Sequence, residues 1–158
     1  MSNSLTKRVL STSLAILAFM LGTMLIVGIF IFIPYVLENI KDIKSLSFAI
    51  SLLILLSSYL ALTILLLNIV SHSKVSIFVN ETVKNFKLMG VILLLDLIVE
   101  YISTIIIGVR GMRFIDLAPG IFITPSMAIY FISSLICFVI ADSFTSAIKI
   151  KNDNDLTI

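Results

Sequence analysis

The chain reads as four long apolar stretches separated by short polar ones. The stretches run over about Val9–Leu37, Leu46–Val70, Leu88–Val109 and Ile121–Ala147. Each is longer than the roughly 20 residues that span a hydrocarbon core about 30 Å thick. A helix satisfies its own backbone hydrogen bonds, whereas a single open strand in lipid leaves them unmet. Barrel strands are shorter and alternate apolar with polar residues, and these stretches do neither. The pattern therefore predicts an all-α integral membrane protein: one domain over residues 1–158, with four transmembrane helices in an antiparallel bundle.

Composition points the same way. Of 158 residues, 59% are hydrophobic and 13% charged, with a mean hydropathy of +1.20. Ordinary soluble domains carry about 25% charged residues, so lipid is the solvent that suits this surface. Lys7 and Arg8 before the first stretch could open a signal peptide. That stretch far exceeds the roughly 7–15 apolar residues of a signal core, and no small-x-small site follows it. It reads as a retained first helix.

Lys and Arg set the orientation. Lys7, Arg8, Lys74, Lys84, Lys87, Lys149 and Lys151 fall on one side, and Lys41, Lys44, Arg110 and Arg113 on the other. The positive-inside rule places the side with seven, and with it both termini and the loop Ser71–Lys87, in the cytoplasm. The net charge of +2 is small and spread between loops, so direct nucleic-acid binding is not expected.

Within that loop Val79, Val83 and Phe86 recur at helical spacing, while Asn80, Lys84 and Lys87 share another face. This predicts a short amphipathic cytoplasmic helix before helix three, N-capped by Ser76, or else a solvated extension of helix three itself. The outer loops Glu38–Ser45 and Arg110–Gly120 are too short for a folded ectodomain. Pro119-Gly120 breaks the chain before helix four, and Thr124-Pro125 suits that helix's first turn.

Acids inside the apolar stretches change the picture. Asp96 and Glu100 stand four apart, on one face of helix three. An acid at this depth costs roughly 2.5–3.5 kcal/mol on insertion-derived scales. No Lys, Arg or His lies at comparable depth, so each acid must be protonated, solvated, cation-bound or hydrogen-bonded to hydroxyls. Ser57, Ser58, Tyr59, Tyr130, Ser133 and Ser134 are the candidate neighbours. Asp142 lies seven residues before Lys149, about 10 Å in at 1.5 Å per residue. Asp96 is similarly deep from Lys87, so the two acids are expected to approach across a contact between helices three and four. Together Asp96, Glu100 and Asp142 form a cation or proton site, interhelical hydrogen-bond glue, or a contact with a ligand or partner helix.

Small residues recur four apart at Ala18 and Gly22, at Ser57 and Ala61, and along Ser133, Cys137 and Ala141. Such spacing packs helices closely, within the bundle or in a homo-oligomer. Cys137 is the only cysteine and His72 the only histidine. With no phosphate-binding loop, metal-ligand cluster or hydrolase signature, neither enzymatic activity nor a cofactor is expected.

Two stretches carry a family resemblance. The run Phe78-Val79-Asn80-Glu81-Thr82-Val83-Lys84-Asn85-Phe86-Lys87-Leu88-Met89-Gly90 resembles the "P-F-x-x-E-N-V-K-x-L-x-x-I-G" segment of a bacterial domain-of-unknown-function family (YoaS-like). The C-terminal stretch Phe144–Ile158, ending Asn152-Asp153-Asn154-Asp155-Leu156-Thr157-Ile158, resembles its "E-N-D-L-T-V"-type tail. Ile77 stands where the family has proline, and Thr82 where it has asparagine. The resemblance implies a bacterial cytoplasmic-membrane protein, often encoded beside a Cro-type helix-turn-helix regulator that it binds or sequesters. Phe78, Glu81, Lys84, Asp153, Asp155 and Leu156 would then form the partner-binding surface. The alternatives are a small transporter, channel or bacteriocin-immunity-type protein using the intramembrane acids, and a structural subunit of a membrane complex.

Overall fold

A computed structural model describes residues 2–72, 79–108, 115–118 and 121–155. Four helices are long and apolar enough to cross a membrane: α1 Ser2–Glu38, α2 Ile43–His72, α3 Asn80–Ile107 and α4 Pro125–Asp155. Between α3 and α4 lies a small antiparallel hairpin, β1 Ile115–Ala118 with β2 Ile121–Ile123. Large apolar side chains such as Phe19, Phe30, Leu95 and Val139 point outward on all four helices. Water does not support contiguous apolar surface on this scale, and lipid does.

The helices outrun the apolar stretches. At 28 to 37 residues, each is about 42–55 Å long at 1.5 Å per residue, against a core about 30 Å thick. They must tilt or project beyond it. Helix α4 begins four residues later than the apolar pattern predicts and ends eight later. Ile121–Ile123, expected in helix four, are β2 instead. Pro125 explains the change. A proline disfavours helical backbone in the residue before it, and its own fixed φ suits the first helical position. At the other end, the stretch from Phe144 to Asp155 holds no Gly or Pro, and the helix runs on through Lys149 and Lys151.

Residues 80–87 are the first two turns of α3 and continuous with its apolar part. Val79, not Ser76, is the N-cap, and it makes no side-chain cap bond; Ser76 lies outside the described residues. Asn80, Lys84 and Lys87 are exposed, while Val83 is buried together with two polar residues, Thr82 and Asn85. Helix α3 ends at Gly108, whose φ of 69° places it in the left-handed region and whose N–H donates to the Thr104 carbonyl at 3.1 Å. Only glycine takes that conformation without steric cost.

Helix α2 opens on Asp42. Its carboxylate accepts from the Lys44 N–H at 3.2 Å and the Ser45 hydroxyl at 2.5 Å, and its carbonyl takes the Leu46 N–H at 3.0 Å. This is N-capping, which supplies partners for donors that have none within the helix.

Packing is uneven. Helix α1 contacts α2, α2 contacts α3, and α3 and α4 share the most extensive contact. Buried Met127, Tyr130, Ser134, Cys137 and Ala141 recur every three or four residues along α4 and make one inward face. Of the small-residue stripe predicted on α4, Cys137 and Ala141 lie on this face, with Ser134 there in place of half-buried Ser133. By contrast Gly22 on α1 has open space where a Cβ would stand. The tightest approach is at Gly90: a Cβ there would sit 2.9 Å from Cζ of Phe138. The same glycine's carbonyl accepts a 2.8 Å hydrogen bond from Ser134.

Two predictions follow from these contacts. Gly90→Leu should destabilise the purified protein by about 1–3 kcal/mol, the usual cost of overfilling a packed site. Gly90→Ala should be close to neutral, because the gain of about 1 kcal/mol in helix propensity offsets a small ring shift. Thermal melts in detergent check both. Separately, the Ser45 hydroxyl and then the Lys44 N–H hold the Asp42 carboxyl below the usual carboxylate range. The charged cap is therefore present at neutral pH and lost as pH falls through that lowered value. Asp42→Ala should speed amide exchange at Lys44 and Ser45 at neutral pH, leaving α3 and α4 unchanged.

Candidate functional site

The two acids of α3 occupy two levels of the bundle. The upper one is built on Thr124-Pro125-Ser126. The Thr124 hydroxyl accepts the Met127 N–H at 3.2 Å, and its carbonyl accepts the Ala128 N–H at 3.2 Å, so Thr124 is the N-cap of α4. Glu100 reaches this cap from α3. Its Oε1 accepts from the Thr124 hydroxyl at 2.9 Å and from the Ser126 hydroxyl. A carboxylate here has two hydroxyl donors and also the partial positive charge of a helix N-terminus. Tyr101 on the same stretch of α3 packs against Phe122 of β2, ring centroids 6.2 Å apart. Glu100 thus ties the hairpin end of α4 to α3.

Asp96 sits one turn deeper and is different. Its side chain is 0% exposed, and neither carboxyl oxygen has a hydrogen-bond partner. Ser58 of α2 lies beside it, but that hydroxyl gives its hydrogen to the Ile54 carbonyl at 3.0 Å. Tyr59 of α2 and Tyr130 of α4 join their hydroxyls at 2.5 Å. Apolar Met89 and Leu93 from α3, with Tyr130 and Cys137 from α4, pack below.

Asp142 does not join this pair. Ser134 meets Gly90, Ser126 meets Glu100, and Phe86 stacks on Phe144, so Asp96 lies level with residues near 130. Asp142 is 12 positions further along α4, about 18 Å at 1.5 Å per residue. It is also exposed. The expected approach fails because Lys87 and Lys149 are not at one level: Phe86 stacks on Phe144, which sets Lys87 level with residues near 143 of α4, well before Lys149. Among the described residues no three His, Cys, Asp or Glu side chains converge on a metal-ion position.

At the opposite end, Phe86 and Phe144 stack with centroids 5.9 Å apart and planes inclined by 12°. Such a pair contributes about 0.5–1.5 kcal/mol beyond its buried area. It joins the start of α3, where Glu81 and Lys84 are exposed, to the part of α4 that runs on to exposed Asp153. Asp155 is the last residue of α4. Phe78 and Leu156 lie outside the described residues.

Sequence reasoning found both acids of α3 and missed what holds Glu100. The signal was present: a Thr-Pro-Ser start for helix four is a cap, and a cap attracts an acid. No family model, curated protein or solved structure matches the chain.

Thr124→Val removes the cap acceptor and one Glu100 donor together. It should destabilise the protein by about 1–2 kcal/mol, the range for loss of a helix N-cap. Thr124→Ser should recover most of that loss in the same thermal melt.

Proposed function

We propose that the chain is a non-enzymatic, multi-pass protein of the bacterial cytoplasmic membrane that holds a soluble helix-turn-helix regulator at its cytoplasmic face. In this reading the bundle is antiparallel with both termini inside. The start of α3 and the end of α4 form the partner surface, and the short amphipathic element is the solvent-facing first two turns of α3.

The reading rests on the Phe86–Phe144 stack. The two stretches that resemble the YoaS-like family are far apart in sequence, yet one aromatic contact joins them at one end of the bundle. The charge distribution adds support, since Lys84, Lys87, Lys149 and Lys151 fall at that end on the side the positive-inside rule makes cytoplasmic. Glu81, Lys84 and Asp153 would supply charges to the partner, with Phe78, Asp155 and Leu156 completing the surface. The chain would meet the regulator and the lipid, and nucleic acid only through the regulator.

A second reading, a small transporter, channel or immunity-type protein, draws on the enclosed Asp96. Homo-oligomerisation or service as a structural subunit would use faces other than the small stripe of α4, which α3 covers.

Co-purification with the helix-turn-helix protein encoded beside it tests the first reading. Reversing the charges of Glu81, Lys84 and Asp153 together should weaken capture at least about tenfold, equivalent to about 1.4 kcal/mol. Undiminished capture by that variant would sink the proposed surface. Ion flux or toxin resistance abolished by Asp96→Asn, with capture intact, would favour the second reading.

A further inference from the structure

The surroundings of Asp96 can be read as an inventory of hydrogens. A carboxylate only accepts hydrogen bonds, so an enclosed one needs donors. None bonds to it here. The Ser58 hydroxyl donates to the Ile54 carbonyl, Ser134 to the Gly90 carbonyl, and Thr63 to the Tyr59 carbonyl at 2.8 Å. Tyr59 and Tyr130 share one of their two hydroxyl hydrogens, and the other makes no hydrogen bond to Asp96. The backbone N–H groups at this level belong to the interiors of α2, α3 and α4.

Lone pairs, by contrast, are available. The Ser58 oxygen beside Asp96 donates its hydrogen elsewhere and can still accept one. A carboxylic acid has the hydrogen to give, and a carboxylate does not.

The charged and titratable groups around it tell the same story. Tyr130 faces it from α4 and holds the Tyr59 hydroxyl of α2. Glu100 stands one turn away on α3 and is already bound by Thr124 and Ser126. Cys137 lies two turns from Tyr130 on α4. Helix α1 contacts α2 and carries no ionisable residue from Val9 to Pro34. No Lys, Arg or His occurs in α2 between Leu46 and Ser71, in α3 beyond Lys87, or in α4 before Lys149.

We propose that Asp96 is a proton-binding site in the α2–α3–α4 core. One proton is the ligand. Bound, it makes Asp96 a neutral donor beside the Ser58 oxygen and removes the enclosed charge between α3 and α2. Released to solvent, it leaves a negative charge with no donor in apolar surroundings, and the α2–α3 contact loosens. A divalent ion is a poor fit, since Ca2+ takes about 6–8 oxygen ligands and no group of acids gathers here. The proposal is independent of any partner at the Phe86–Phe144 end.

The test uses the full chain in detergent or nanodiscs. At neutral pH, infrared spectra of the wild type should show the carbonyl stretch of a protonated carboxylic acid, absent from Asp96→Asn. The wild-type melting temperature should fall by several degrees from mildly acid to mildly alkaline pH, while that of Asp96→Asn stays flat. Glu100→Gln should keep the alkaline fall. Where Asp96→Asn does not accumulate, Ser58→Ala serves: it keeps the acid but removes its acceptor, and should move the band to higher wavenumber. Identical wild-type and Asp96→Asn spectra, parallel pH profiles or an unmoved band in Ser58→Ala would each overturn the proposal. So would a melting temperature that responds to sodium at fixed pH in the wild type but not in Asp96→Asn, which would make this a metal-cation site.

Discussion

Helices that associate in lipid gain little from the hydrophobic effect, because the tails they leave are as apolar as the neighbours they meet. What remains is close packing and the few polar contacts that closeness allows. In this protein both are concentrated where Phe138 rests on Gly90 and Ser134 donates to the Gly90 carbonyl. Interhelical hydrogen bonds of this kind average about 0.6 kcal/mol, so the bond alone cannot hold the helices. Its contribution is register. With Gly90 set against Ser134 and Phe138, Glu100 falls at the Thr124–Ser126 cap and Phe86 falls on Phe144. Asp96 is then enclosed between them.

Asp96 and Glu100 show how little residue type decides by itself. They are one turn apart on one helix face, and both stand where lipid resists charge. Glu100 reaches the end of α4, where an acid finds hydroxyls and a favourable dipole. Asp96 meets the middle of α2 and α4, where every backbone donor is already in use. One acid is a structural clamp, and the other is the least satisfied group among the described residues.

The four apolar stretches were legible because lipid imposes a minimum length that almost no other constraint imitates. The burial of Asp96 was legible for the same reason. Helix ends were not, since a helix can run past the apolar zone into water, as α4 does from Ala147 to Asp155. That extension also undid the depth reckoning for Asp142. The hairpin strand at Ile121–Ile123 was hidden by its own apolarity: three residues of Ile-Phe-Ile look alike in a strand and in a span, and only Pro125 marks the change. The partners of Glu100 were hidden by distance, because a contact between residues 100 and 126 leaves no periodic trace.

Helix α1 has a consequence for how the protein meets its membrane. It is the longest helix, its extensive contact is with α2, and its most apolar window contains no buried residue. Tilting it disturbs its contact with α2, whereas tilting α3 breaks the fit at Gly90 and at Glu100. A lean of α1 therefore leaves the contacts at Gly90 and Glu100 untouched, and a lean is one way in which a helix longer than the hydrocarbon core fits it.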